Sequence, residues 1–263
     1  MLAAERGKLH ACLQRRVPRR LQDETDTGQE PMTQTLSPRP LLVFDLDGTL
    51  ADTAADLVST LNALLTREGL AAVPFLEARA MVGAGAKALL QRGLKANGVE
   101  LDEEKLDQLF ADFLTHYEEH IADESVLYPG VTAALDRFEA AGWNFAVCTN
   151  KIEAPSVLLL TALGVAKRFK AICGKDTFAV SKPDGEALLA AIAKAGGDPR
   201  RAIMVGDSKT DIETARNAKV PVVAVNFGYT DLPVETYKPD RVIGHFDELW
   251  EAVKELSGAF HVA

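Results

Sequence analysis

The chain has 263 residues, of which 47% are hydrophobic and 25% are charged, a composition typical of one or two folded domains. It excludes a collagen-like, coiled-coil or wholly disordered chain, and no apolar run reaches the roughly 18 residues that cross a bilayer. The formal net charge of −9 argues against nucleic-acid binding, because a phosphate backbone requires a basic face. We therefore expect no nucleic-acid or membrane partner, and a monomer or homodimer.

The first 39 residues differ in composition from the rest. Residues 1–22 contain six basic residues and one acidic residue, so the other 241 residues carry a net charge of −14. Residues 23–40 are polar and rich in Thr, Pro, Asp and Glu, and the first 30 residues have no apolar secretory segment. We predict a disordered tail over residues 1–39, or a true start at Met32. An organelle transit peptide is the alternative, which the lack of Ser in residues 1–22 disfavours.

The three cysteines of the chain are Cys12, Cys148 and Cys173. They are too few and too scattered for a disulfide framework. We therefore expect reduced thiols and a cytoplasmic protein.

Strands and helices alternate after residue 40. Continuous apolar runs are typical of strands that are covered on both faces, and they predict strands at 41–44, 144–148, 171–173, 202–205, 220–225 and 241–243. Helical patterns lie at about 131–141, 154–163, 184–196, 209–218 and 246–256. This alternation predicts an α/β fold with a Rossmann-like parallel sheet, formed by residues 40–53 and 129–263.

One interval interrupts the alternation. Residues 54–128 contain no convincing strand and show helical patterns at roughly 54–68, 75–96 and 102–121. A helical segment of this length after the first strand predicts a second, smaller domain, an α-helical cap inserted into the sheet domain. Pro129 and Gly130 mark the return to the sheet.

Two aspartates follow the first predicted strand. Asp45 and Asp47 are separated by one residue, Leu46, and are followed by Gly48 and Thr49. Gly48 permits the backbone to turn at this point. A carboxylate in this place can attack phosphorus or bind Mg²⁺, and a second one can move protons. An ordinary turn or helix cap is the alternative, because Asp and Gly favour both.

Three further segments bring polar groups to the same predicted edge. Asp207 leaves a buried strand and Asp211 follows four residues later, which suits metal ligation or helix capping. Lys182 would neutralise the aspartates and hold a phosphate oxygen, or it is a solvated surface lysine. Thr149 and Asn150 offer a hydroxyl and backbone N–H groups to a phosphate, or cap a helix. Because ligands bind at the carboxyl ends of parallel strands, the combination predicts a site for a phosphate and a divalent cation.

The segments 45–50 and 206–211 resemble the motifs of the haloacid dehalogenase superfamily of phosphotransferases. The resemblance extends from Leu41 to Leu256, and the helical insertion is similar to the α-helical cap of one subgroup. Within the superfamily, the phosphoglycolate phosphatases resemble this chain at residues 82–90, 127–131, 181–183 and 228–229. The resemblance implies a cap that closes over the site, excludes water and selects the substrate.

The resemblance implies a mechanism and a Mg²⁺ cofactor. Asp45 would attack phosphorus and become an aspartyl phosphate, with Lys182 steadying it. Asp47 would protonate the leaving group and then activate water. The metal would be bound by Asp45, by Asp47 through its backbone carbonyl, and by Asp207.

The remaining site residues would bind the phosphoryl group or support the metal site. Thr149, Asn150 and Lys182 would hold the phosphoryl oxygens. Asp211 and Thr49 would support the metal and its ligands. Hydrolytic dehalogenases of the superfamily attack carbon without a second aspartate, so Asp47 favours phosphoryl chemistry.

The resemblance implies a small anionic phosphate ester as substrate, with 2-phosphoglycolate favoured. Related phosphatases for pyrophosphate, a nucleotide or a sugar phosphate are alternatives, as is a phosphosugar mutase. A non-catalytic binding protein on the same fold is a different class, which the presence of the two aspartates, the lysine and Asp207 disfavours.

Overall fold

The computed structural model describes residues 38–83 and 85–258, and most of the predicted tail therefore lies outside the described residues. The sheet consists of six parallel strands in the order β5-β4-β1-β6-β7-β8, and β2 pairs separately with β3. The predicted Rossmann-like α/β class is confirmed. In chain order the elements are β1 (Leu41–Phe44), β2 (Ala51–Asp52), α1 (Ala54–Arg67), α2 (Phe75–Arg79), α3 (Ala86–Ala96), α4 (Glu103–Glu119), β3 (Val126–Leu127), α5 (Val131–Ala140), β4 (Asn144–Cys148), α6 (Glu153–Ala162), β5 (Phe169–Cys173), α7 (Gly185–Lys194), β6 (Ala202–Gly206), α8 (Lys209–Ala218), β7 (Val222–Val225), β8 (Arg241–Ile243) and α9 (Leu249–Ser257).

Strand β1 lies between β4 and β6 in the sheet, and both of its faces are apolar. Leu42 and Phe44 pack into one hydrophobic layer, which includes residues of α5, α6 and α9. Leu41 and Val43 point to the opposite layer, which includes residues of α7 and α8. All four side chains are fully buried. Polar groups therefore reach a ligand only beyond the ends of this strand.

Several element boundaries differ from the sequence prediction. The helix expected at 75–96 is two helices, because Gly83 and Gly85 have φ angles of 105° and 92°, which an α-helix does not accommodate. Strand β7 starts after Pro221, since proline lacks a donor for the ladder. The longest described helix, α4, has 17 residues, and no helix within residues 38–83 and 85–258 is long and apolar enough to span a bilayer.

A short antiparallel pair joins the helical insertion to the sheet. Strands β2 and β3 have two residues each, too few to produce a visible alternation, so the sequence prediction missed both. The buried carboxylate of Asp56, in α1, accepts hydrogen bonds from the backbone N–H groups of Glu124 (3.0 Å) and Ser125 (2.8 Å) and from the Ser125 hydroxyl. The entry and exit of the insertion are therefore tied together.

Candidate active site

The carboxyl ends of three adjacent strands converge on one cavity. Asp45 follows β1, Thr149 follows β4 and Asp207 follows β6. All three line the cavity, together with Asp47 and Asn150. The insertion closes the opposite wall with Leu57, Val82, Gly83, Gly85, Ala86 and Leu89. These five sequence-predicted residues thus surround a single space, whereas Thr49, Lys182 and Asp211 are not among the described residues that line it.

Lys182 is buried against two carboxylates. Its Nζ lies 3.0 Å from Asp45 Oδ1 and 2.5 Å from Asp211 Oδ1, and only 2% of its side chain is exposed. Burial opposes the charge of the ammonium group, but Asp211 and Asp45 outweigh that effect and raise the pKa of Lys182 above its ordinary value. Lys182 is therefore a buried cation and not a solvated surface lysine.

Asp211 supports the site and also caps a helix. Its Oδ2 accepts hydrogen bonds from the backbone N–H of Ser208 (3.1 Å) and from the Ser208 hydroxyl (2.6 Å), which forms a capping box at the start of α8. Both oxygens of Asp211 are thus engaged, one by Lys182 and one by Ser208. Of the two capping candidates, Ser208 and not Asp207 is the N-cap of α8.

Negative charge exceeds positive charge in this cluster. Carboxylate oxygens of Asp45, Asp207 and Asp211 lie within 4.8 Å of one another, and Lys182 is in contact with two of these residues, Asp45 and Asp211. Burial, followed by the charges of the other aspartates, raises the pKa of Asp207 to about 8. Burial also raises the pKa of Asp45 to about 6, although Lys182 opposes the shift. Buried oxygen donors with uncompensated negative charge suit a divalent cation.

Asp207 is held by groups from two directions. Its Oδ1 accepts a hydrogen bond from the Thr49 hydroxyl (3.1 Å), and its Oδ2 accepts one from the backbone N–H of Tyr229 (2.6 Å). Thr49 was predicted to be a supporting residue, and the structure places it against this carboxylate. Tyr229 also orients the start of α1, because its Oη accepts hydrogen bonds from the backbone N–H groups of Thr53 (2.7 Å) and Ala54 (2.9 Å).

The Asp47 carboxylate turns away from the cluster. Its Oδ1 accepts hydrogen bonds from the Thr53 hydroxyl (2.8 Å) and from Lys151 Nζ (3.2 Å). Lys151 Nζ also donates to Tyr117 Oη, 2.9 Å away on α4 of the insertion. Burial lowers the pKa of Lys151, but Asp47 and Tyr117 reverse the effect and raise it. Asp47 therefore faces the cavity and the insertion.

Thr149 and Asn150 line the cavity and also form hydrogen bonds with neighbouring loop residues. The Thr149 hydroxyl accepts a hydrogen bond from the backbone N–H of Lys151 (3.2 Å), and the Asn150 amide donates to the Lys182 carbonyl (3.1 Å). Neither residue caps α6, whose N-cap is Ile152. Asn150 thus holds the loop that carries Lys182, while its side chain lines the cavity.

Sequence reasoning missed four residues of this site. Thr53, Tyr117 and Lys151 act on Asp47 or on its partner, and Tyr229 binds Asp207, as described above. Lys151 directly follows Thr149 and Asn150 at a strand end, and this position was the available signal. Tyr117 gave none, because it lies in the last turn of α4 with the periodicity of an ordinary buried residue.

Metal-free protein is expected to lose stability between about pH 5 and about pH 8. The ordinary pKa of 3.8 rises to about 6 at Asp45 and about 8 at Asp207, so in this range the folded chain holds protons that the unfolded chain has released. The stability that these bound protons contribute is present at low pH and is lost as the pH rises through the pKa values of the folded chain. If the aspartate cluster holds the Mg²⁺ that the sequence predicts, the ion would bind the deprotonated carboxylates and should raise Tm more at the alkaline end.

Thermal unfolding in EDTA and in millimolar Mg²⁺ across this range tests the expectation. Asp207→Asn is the control, because it removes the larger raised pKa and should flatten the pH dependence. An equal Mg²⁺-induced rise in Tm at both ends of the range would contradict the metal assignment.

Gly48→Ala is expected to weaken metal binding. Gly48 has φ +81°, and a Cβ there would lie 3.0 Å from Asp207 Cγ and 2.9 Å from the Tyr229 ring. Displacing Asp207 should raise the half-saturating Mg²⁺ concentration by about 10-fold or more. Gly69→Ala is the matched control, since φ is +75° there and no atom lies within 4 Å. Equal effects of the two substitutions would indicate backbone strain alone.

Comparisons with known proteins show the family of this chain. Residues 42–225 match the model of the haloacid dehalogenase-like hydrolase family. A phosphoglycolate phosphatase of Mesorhizobium japonicum is 51% identical over 211 residues, covering 80% of this chain and 93% of the relative. One from Agrobacterium fabrum is 49% identical over 216 residues, covering 82% and 93%. The crystal structure of a predicted phosphoglycolate phosphatase from Haemophilus somnus superposes with a TM-score of 0.76 at 30% identity, covering 82% of this chain and 98% of that one.

Proposed function

Because the chain belongs to the haloacid dehalogenase-like hydrolases, we propose that it converts 2-phosphoglycolate to glycolate and phosphate through an aspartyl phosphate on Asp45. Its family and relatives identify it as a phosphoric monoester hydrolase. The observation that carries the mechanism is the cavity that Asp45 shares with Asp47 and Asp207, together with the contact between Asp45 and the buried Lys182. The names of the relatives near 50% identity support the substrate.

Asp45 is placed to act as the nucleophile. Its Oδ1 accepts a hydrogen bond from the Leu46 N–H (2.7 Å) and lies 3.0 Å from Lys182 Nζ. These contacts fix the carboxylate and leave Oδ2 to attack phosphorus. The new acyl phosphate bond forms as the ester oxygen leaves. Lys182 and the Thr149 hydroxyl then hold the phosphoryl oxygens, where negative charge is spread in the transition state.

Asp47 is the general acid and base of the proposal. Thr53 and Lys151 fix its carboxylate beside the cavity. It donates a proton to the departing alkoxide in the first step. In the second step it accepts a proton from the water that attacks the aspartyl phosphate, which releases phosphate and restores Asp45.

Mg²⁺ is the proposed cofactor. The carboxylates of Asp45 and Asp207 and the backbone carbonyl of Asp47 would hold it, and Asp211, which lies in the same cluster, would support the site from its contacts with Lys182 and Ser208. When bound, it supplies positive charge to the phosphoryl oxygens. Mg²⁺ suits this set because it prefers oxygen ligands and retains several waters.

The helical insertion serves as the cap in this proposal. It contributes the apolar part of the cavity wall, so its closure would exclude water and leave room only for a small leaving group. We also place the reaction in the cytoplasm, consistent with the free thiols of Cys148 and Cys173.

Phosphate release from 2-phosphoglycolate tests the proposal. We expect Mg²⁺-dependent turnover with a kcat/KM far above that for pyrophosphate, a nucleoside monophosphate and a sugar phosphate. Broad and weak release across this panel would refute the substrate assignment. No release from any ester would refute the hydrolytic reaction and favour a mutase or a binding protein.

A further inference from the structure

Lys151 is a buried cation between Asp47 and the helical insertion. It is in the loop between β4 and α6, and only 6% of its side chain is exposed. Its Nζ lies 3.2 Å from Asp47 Oδ1, 2.9 Å from Tyr117 Oη and 4.3 Å from the centre of the Tyr117 ring. The ammonium group is therefore held between the proposed general acid and the insertion.

The ammonium group of Lys151 contacts the Asp47 carboxylate twice and the Tyr117 hydroxyl once. It carries three N–H donors, and its acceptors among residues 38–83 and 85–258 are the Asp47 carboxylate and the Tyr117 hydroxyl. Two of these three contacts go to a single carboxylate, and the longer of them is 3.4 Å, so the donor of that contact can turn to a further acceptor without leaving Asp47 unpaired. A buried charged donor binds an anion more strongly than a solvated one does, because little water competes.

Lys151 lines two cavities that share several of their lining residues. Lys151 lines the inner cavity, which holds Asp45 and Asp47, and also an outer cleft of about 330 Å³ between α3, α4 and the start of α6. It is the only cation among the described residues that line the inner cavity. The insertion contributes apolar side chains there, such as Val82 and Leu89, which cannot bind an anion.

We infer that Lys151 is the specificity-determining residue that binds an anionic group on the leaving alcohol, namely a carboxylate one methylene from the ester oxygen. The inference rests on the proposed function, in which Asp47 protonates that ester oxygen. A carboxylate separated from this oxygen by a single methylene lies beside Asp47, which is where Lys151 Nζ is held. Tyr117 is a positioning residue, because its hydroxyl and ring hold Lys151 in place.

The test compares two esters that differ in charge. 2-Phosphoglycolate carries the carboxylate, and 2-hydroxyethyl phosphate has a hydroxymethyl group in its place. In Lys151→Met, kcat/KM for 2-phosphoglycolate should fall about 10- to 100-fold more than kcat/KM for the neutral ester, mainly through KM. Inhibition by glycolate should weaken, while inhibition by inorganic phosphate should not change. Tyr117→Phe should shift the same ratio in the same direction, but less.

Lys175→Met is the matched control, because Lys175 is an exposed lysine on the outer cleft and its replacement removes the same charge. We expect it to leave the ratio of the two esters unchanged. An equal loss for both esters in Lys151→Met, or no loss, would overturn the inference. A wild-type enzyme that hydrolyses both esters equally would overturn it while the phosphatase assignment stands. Absence of any hydrolysis by the wild type would overturn both.

Discussion

Asp45→Asn is expected to lower kcat by at least about 10⁴-fold while the chain stays folded. An amide is not a nucleophile towards phosphorus, and no other described carboxylate is placed to replace Asp45. Burial raises the pKa of Asp45 to about 6, because the charged carboxylate is poorly solvated there. The neutral amide of Asn removes that charge at neutral pH. The variant should therefore unfold at a temperature equal to or above that of the metal-free wild type at neutral pH.

Asp47→Asn supplies the sharpest contrast, because it should separate the two chemical steps. With 4-nitrophenyl phosphate the leaving group needs no proton, so Asp45 can still be phosphorylated. The water that completes the turnover lacks its base. We expect a stoichiometric burst of nitrophenolate in Asp47→Asn and none in Asp45→Asn. A burst in Asp45→Asn, or wild-type turnover in either variant, would refute the assigned roles.

Lys182→Met is expected to lower the free energy of unfolding by about 3–5 kcal/mol, in addition to abolishing turnover. Asp211 is fully buried and Lys182 Nζ lies 2.5 Å from its carboxylate, with Asp45 3.0 Å away. Removal of the ammonium group leaves both carboxylates without their cation. The cost of an unpaired buried charge is larger than the net contribution of the ion pair itself.

Urea denaturation of Lys182→Met, Asp211→Asn and the double variant measures this effect. The double variant should be more stable than the sum of the two single losses predicts, because it no longer contains the unpaired Asp211 charge. A loss below about 1 kcal/mol in Lys182→Met would indicate a solvent-screened lysine and contradict the buried arrangement.

The residues that the sequence revealed are those fixed by strand ends. Asp45 and Asp207 each follow a continuous apolar run, and parallel strands align their carboxyl ends. Their convergence could therefore be predicted without coordinates. Lys182 lies in the loop between β5 and α7. It was predicted as a site residue because two neighbouring aspartates require a positive charge. Its actual partners, Asp45 and Asp211, agree with that reasoning.

The residues that the sequence did not reveal depend on contacts between distant segments. Tyr117 reaches Lys151 from a helix of the insertion, and Tyr229 reaches Thr53 from the loop after β7. No local periodicity encodes such pairs. The break between α2 and α3 was missed for a different reason, because apolar residues continue through Gly83 and Gly85 and conceal two positive φ angles.

Chemical trapping of the phosphorylated residue tests the central claim most directly. Wild-type protein would be mixed with 2-phosphoglycolate and Mg²⁺, quenched in acid during turnover and treated with borohydride, which reduces an acyl phosphate to an alcohol. Mass spectrometry of the peptide that contains residues 41–50 should then show homoserine at Asp45, and Asp47→Asn should increase its yield. An unmodified Asp45 during confirmed phosphate release, or modification of a different residue, would contradict the account.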